Sequence, residues 1–215
     1  MTCQQDTLQR KRAARILRLL KKAFPDPGCT LEFQTPLDLL VATILSAQCT
    51  DRRVNLVAPA LFAQCPTPND YVALGVKSLE TIIHSTGFYH NKAKNIIALC
   101  EVLIRDYGGQ VPETLDELVA LPGVGRKTAN VVLQNAFGVV AGVVVDTHVG
   151  RISRRLNLTA SGDPVKVEAD LCALFPKKEW TNLSHRLILL GRSSCRAQNP
   201  NCENCPLKSD CPSRS

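Results

Sequence analysis

Long apolar runs, a leader-like start, alternating strand patterns and internal repeats are all missing from this chain, and each absence removes a class of protein. Runs such as Ile188–Leu190 and Val143–Val145 fall far short of the roughly 18 residues a membrane span needs, so no membrane association is expected. The N-terminal stretch is studded with Arg and Lys where a secretory signal would be apolar, which points to a reducing compartment, the prokaryotic cytoplasm. Sustained period-2 alternation is absent, so the chain is not built on sheets. No repeat of solenoid length and no low-complexity tract occurs. The four histidines show no metal-ligand spacing. Hydrophobic residues at 45% and charged residues at 21% exclude a disordered chain and a coiled-coil rod. A chain of 215 residues holds one or two domains and a core that needs no disulfide staples.

What is present is helix punctuation. Thr35-Pro36-Leu37-Asp38 places a cap, a first-turn Pro and an acid three residues after the cap. Thr67-Pro68-Asn69-Asp70 repeats the device, and Thr114-Leu115-Asp116-Glu117 is its Glu version. Gly87 and Gly108-Gly109 read as helix stops. Together these predict an all-α chain, with Val143–Val145 a buried connector. Residues 8–24 form a basic amphipathic helix with Leu8, Ile16, Leu19, Leu20 and Phe24 on its apolar side. Its cations read first as a solvated face and second as a DNA contact. Breaks fall at Pro25–Gly28 and at Gly138–Gly142.

Ten cysteines are unusual for a reducing compartment. Six are scattered (Cys3, Cys29, Cys49, Cys65, Cys100 and Cys172) and read as small hydrophobes. The other four, Cys195, Cys202, Cys205 and Cys211, crowd into a Pro-, Asn-, Ser- and Arg-rich tail that cannot build its own core. Such a cluster reads as a metal centre. Zinc accepts four thiolates. One compact loop with a single Cys-x2-Cys unit suits a [4Fe–4S] cluster better. Arg192, Arg196 and Lys208 surround it, as DNA contacts or as solvated surface. The net charge of +7 agrees with a polyanionic partner without requiring one.

Leu121-Pro122-Gly123-Val124-Gly125-Arg126-Lys127-Thr128-Ala129 lies between a short helix (about 115–120) and an Ala/Val-rich helix (about 126–137). Glycines one residue apart permit a tight turn that bares N–H groups at a helix N-terminus, a fit for a phosphate. Lys127 opens that helix beside Arg126, where the helix dipole and the neighbouring cation favour a neutral amine, as partial burial also would. A neutral amine is what a Schiff-base nucleophile needs; a phosphate-binding lysine is the simpler reading. Asp146, in Val145-Asp146-Thr147-His148, is a helix cap, a carboxylate at the mouth of a cleft, or both. His148 reads as structural.

These motifs together resemble the bacterial endonuclease III family of the helix-hairpin-helix/Gly-Pro-Asp DNA glycosylase superfamily. LSAQCTD at 45–51, GFYHNKAKNI at 87–96 and LILLGR at 187–192 extend the likeness over nearly the whole chain. The resemblance implies two helical domains with a DNA cleft between them. One is a six-helix barrel over 28–140, with the helix-hairpin-helix at about 114–137; the other, 1–27 with 141–215, is an iron–sulfur domain. It further implies catalytic Lys127 and Asp146, and DNA contacts from Gly123, Val124, Gly125 and Arg126. Gln48 and Phe88 match residues that fill the gap left by an extruded nucleotide. Cys195, Cys202, Cys205 and Cys211 match the ligands of a [4Fe–4S] cluster. Phe88 stands where the family usually has Leu, and the segment at Gly142 is about one residue longer than usual. The implied activity is base excision from double-stranded DNA bearing damaged pyrimidines or abasic sites, by a monomer, through a Lys Schiff base followed by β-elimination 3′ to the abasic site. The alternatives are a monofunctional glycosylase of adenine or mismatch type and a non-catalytic DNA-binding or iron–sulfur protein.

Overall fold

The structure, a computed structural model, describes residues 3–214, with side chains from residue 7 onward; Cys3 as a core candidate lies outside the described side chains. The described residues form helices and turns with no strand. They divide into two compact units, residues 29–141 and residues 1–28 with 142–215. No described helix is long and apolar enough to cross a membrane.

The unit over 29–141 contains α2 (Pro36–Leu45), α3 (Asp51–Gln64), α4 (Pro68–Ile83), α5 (Tyr89–Tyr107), α6 (Leu115–Ala120) and α7 (Arg126–Ala136). Local chemistry fixes their starts. The Thr35 hydroxyl accepts from the Asp38 N–H at 3.1 Å, and the Asp38 carboxylate accepts from the Thr35 N–H at 2.9 Å. Asp70 accepts from the Thr67 N–H at 2.9 Å. Thr114 caps α6 through the Glu117 N–H. Each cap satisfies donors that a helix start leaves without partners. Gly108 closes α5 in the left-handed conformation, φ 58°. Gly75 breaks α4 with φ 76°.

α2 is buried along nearly its whole length. It is apolar except at Asp38, which its cap consumes, and Thr43, whose hydroxyl donates to the Leu39 carbonyl at 2.7 Å. α7 packs on it, and α4 packs along α5. The scattered cysteines behave as apolar filler here: Cys65 and Cys100 are buried, while Cys29 and Cys49 pack at the core edge. Burial pushes the Cys100 thiol up to about 12, helped by Cys65 and Glu101.

The second unit contains α1 (Cys3–Ala23), α8 (Thr147–Arg155), α9 (Pro164–Leu174) and α10 (Trp180–Ser193). Ala13, Ile16, Leu17 and Leu20 bury the inner stripe of α1. Leu8 does not join that stripe as its spacing predicts; it is 71% exposed. Val143 and Val144 are buried in a segment without regular structure.

The basic face of α1 is only partly solvated. The Arg12 guanidinium donates to the carbonyls of Leu156 and Asp210, and Arg15 pairs with the Asp210 carboxylate. Lys21 pairs with the buried Glu179 at 2.6 Å. Arg186, itself buried, donates to the Phe24 carbonyl at 3.1 Å. These cations fasten α1 to the rest of the unit and to the cysteine-rich tail.

Candidate functional site

The hairpin joining α6 to α7 is set by one glycine. Gly123 has φ +75°, a conformation that side chains with a Cβ resist. A Cβ there would also lie 2.8 Å from that of Asn95 on α5. Gly125 differs. Its φ is −88°, open to any residue, and nothing lies within 4 Å of where a Cβ would point. The first glycine is demanded by the turn itself, and the second leaves the start of α7 uncovered.

Val124, between them, turns inward. Its side chain is buried in the unit's core and its N–H donates to the Leu121 carbonyl at 3.1 Å. Its amide is therefore spent within the turn, unlike the outward donor that the Gly-x-Gly pattern predicts at this position. Gly123, Gly125, Arg126 and Lys127 are all exposed. Lys127 is thus solvent-facing rather than partly buried. It occupies the second position of α7, among N–H groups with no intrahelical acceptor. Local positive potential collects there.

Asp146 belongs to the other unit. It is half-buried and caps α8, its Oδ1 accepting from the Val149 N–H at 2.8 Å. The cap uses Oδ1 alone. His148, in the first turn, is structural as its context predicts: Arg151 bonds its Nδ1 at 3.1 Å. The ring also lies against Gly191 of α10, where a Cβ would come 2.6 Å from Nδ1. Gly142 abuts the buried Glu168 carboxylate so closely that a Cβ there would overlap it.

Gln48 and Phe88 are both exposed, on two turns of the 29–141 unit. Both hold left-handed backbones, φ 54° and 49°. Such values are uncommon for residues with side chains and mark positions the surroundings dictate. Phe88 is 63% exposed, the ring presented to solvent at the start of α5.

The tail after α10 is a string of turns. Cys195, Cys202, Cys205 and Cys211 line one cavity of about 120 Å³. Burial pushes the Cys205 thiol up, the Leu207 amide opposes this, and the other three cysteines raise it further, so Cys205 senses all three of its fellows. Among the described residues, no three His, Cys, Asp or Glu side chains converge closely enough to hold a single metal ion.

α8 grips this loop, which the sequence pattern did not foretell. Arg151 donates to the Cys195 carbonyl at 2.9 Å. Arg155 donates to the carbonyls of Arg196 and Ala197 at 2.7 and 3.0 Å, and reaches the Cys195 Sγ at 3.4 Å. Lys208 donates to the Glu203 carbonyl at 3.0 Å. Leu207 is fully buried and pins the loop to the core. Partners this far apart along the chain leave no local signature to read.

Residues 41–177 match the model of the HhH-GPD superfamily, base excision DNA repair proteins. The chain is 52% identical over 205 residues to the endonuclease III of Synechocystis sp., covering 95% of this chain and 94% of that protein. It is 51% identical over 189 residues to the endonuclease III of Bacillus subtilis, covering 87% and 86%. Among solved structures it resembles a non-covalent endonuclease III–DNA complex, with a TM-score of 0.90 and 47% identity over 95% of each chain.

The two glycines of the hairpin should part company on substitution. Gly123→Ala is expected to lose about 1–3 kcal/mol of stability through its positive φ and the Asn95 overlap. Gly125→Ala should cost about 0.5 kcal/mol or less. Urea denaturation of the two variants measures the difference.

Proposed function

The chain belongs to the HhH-GPD superfamily of base excision DNA repair proteins, and from that premise we propose that Lys127 is its nucleophile and Asp146 its catalytic carboxylate. The protein is a bifunctional DNA glycosylase and abasic-site lyase acting in base excision repair. Its substrate in this reading is double-stranded DNA with a damaged pyrimidine or an abasic site. It works as a monomer in the prokaryotic cytoplasm, beside the chromosome.

The observation that carries the nucleophile assignment is the exposure of Lys127 in the first turn of α7, directly after an open Gly125. Gly123, Gly125 and Arg126 anchor a DNA phosphate at this helix start, where the helix dipole favours an anion. A phosphate held there brings the adjoining sugar to the amine. The lesion leaves the base stack, Gln48 and Phe88 fill the gap, and C1′ becomes accessible.

The Lys127 Nζ lone pair forms a bond to C1′ as the glycosidic C1′–N bond breaks. The base leaves with that electron pair and takes up a proton. The sugar ring opens, and the amine with C1′ becomes an imine. Loss of a C2′ proton then expels the 3′ phosphate and cuts the strand. In this reading the Asp146 carboxylate serves as a base and opposes the positive charge growing on the sugar. Its cap supports this role, since the Val149 N–H fixes Oδ1 and leaves Oδ2 for the reaction.

Cys195, Cys202, Cys205 and Cys211 hold a [4Fe–4S] cluster in this proposal. Four thiols around one cavity, in one compact loop with a single Cys-x2-Cys unit, suit a polyatomic core better than zinc. When bound, the cluster supplies a rigid thiolate-ligated centre that gives the tail its shape. The grip of Arg151 and Arg155 on the same loop fits that organising role.

Borohydride reduction of the protein with abasic-site DNA should yield a covalent adduct that Lys127→Gln abolishes; wild-type protein giving none would sink the lyase mechanism. Asp146→Asn should keep the cap, and hence the melting temperature, because Asn caps as well as Asp. Its rate of base excision should fall about 100-fold or more, as single-turnover kinetics would register. Purified protein should be brown, with about four iron and four acid-labile sulfide atoms per chain. Colourless, active protein carrying stoichiometric zinc would overturn the cluster assignment.

A further inference from the structure

Lys92, in the first turn of α5, is buried to 4% exposure, and its ammonium meets main chain where a carboxylate would be the usual partner. It donates to two carbonyls, Leu45 at 2.7 Å and Thr86 at 2.8 Å. Burial drives its pKa below the usual lysine range, and Cys49 nearby opposes the shift.

The two acceptors share one feature. Leu45 is the last residue of α2, and Thr86 the last of the short 3-10 turn His84–Thr86. Carbonyls at helical C-termini lack intrahelical partners and carry partial negative charge, so a cation suits both. An apolar side chain here would leave the two carbonyls without this donor, and a carboxylate would repel them. A lysine on a flexible stem brings three donors to one point.

Each acceptor leads within three residues to an outward-facing side chain. Gln48 comes three residues after Leu45, and Phe88 two residues after Thr86. Both are exposed and both hold left-handed backbones. The Lys92 backbone N–H also donates to the Phe88 carbonyl at 3.1 Å. One residue therefore joins the ends of two segments far apart in sequence, just before each turns out to solvent.

We propose that Lys92 is a positioning residue that locks the Gln48 and Phe88 turns to each other, so that the two side chains enter DNA as a single two-pronged wedge. The proposal rests on the reading that Gln48 and Phe88 fill the gap left by the displaced nucleotide. With the strap in place, the spacing between the prongs is set before DNA arrives, so both reach the base stack together.

The test uses a duplex with 2-aminopurine opposite a reduced abasic site, which allows binding but no chemistry. Its fluorescence rises when the intact stack is disturbed. A Gln48→Ala/Phe88→Ala protein is compared first. If its signal equals wild type, the gap-filling reading fails, and the Lys92 proposal falls with it. If that signal is lost, Lys92→Met decides the strap itself. It should lose most of the fluorescence rise while DNA affinity stays near wild type, with a melting temperature lowered because two buried carbonyls lose their donor. Its kcat for damaged-base excision should fall about 10- to 100-fold, with KM little changed. A wild-type signal in Lys92→Met overturns the proposal. Adding Lys92→Met to the double variant should cost nothing more; a further loss would show that Lys92 acts elsewhere, and would also overturn it. Should Lys92→Met not fold, Lys92→Gln takes its place. Its amide still offers two donors, so it should fold with a signal between wild type and the double variant, and a loss as complete as the double variant's overturns the two-carbonyl strap.

Discussion

The turn at Gly123 is the constraint on which the hairpin depends. Its φ of +75° and the closeness of Asn95 leave room for one residue type. Because the chain reverses there within a few atoms, α7 begins in the open, with Gly125, Arg126 and Lys127 exposed in sequence. Val124 converts the same turn into an anchor by burying its side chain and closing its amide onto Leu121. Rigidity on the inner side and exposure on the outer side arise from the same few residues. Lys127, the proposed nucleophile, is mounted on this anchored start of α7.

Positive charge in this chain is divided between two tasks. Arg12, Arg15, Arg151 and Arg155 are turned onto carbonyls, a thiol and the Asp210 carboxylate, and together they hold a tail that has little core of its own. Guanidinium groups suit the work, since each offers several donors in a fixed plane. Arg10, Lys11, Arg18 and Lys22 on α1 make no such contact among the described residues and are exposed. The formal +7 thus overstates what a polyanion meets on this face. A basic helix that reads as a solvated surface is, through Arg12, Arg15 and Lys21, a structural clamp.

Local chemistry made the helical class legible. Capping residues, first-turn prolines and stop glycines act within four residues of one another, and the helices begin and end where those signals lie. The hairpin was legible for the same reason, down to α6 over Leu115–Ala120. Other features were hidden because their causes lie far along the chain. Gly123 and Gly125 look equivalent in sequence, yet only Gly123 meets Asn95. Leu8 has helical spacing yet is left 71% exposed. Arg12 finds its acceptor 198 residues away, and Lys92 finds one of its own 47 residues away. No period or motif encodes such pairings.

α8 is capped by Asp146 and ends at Arg155, so one short helix carries a carboxylate at its front and a two-arginine grip on the cysteine loop at its back. Each residue added to a helix rotates the remainder by about 100°. Inserting or deleting one residue within α8 would swing Arg151 and Arg155 off the loop if Asp146 kept its place, or swing Asp146 away if the arginines kept theirs. The interval between the acid and the arginines is therefore frozen in length.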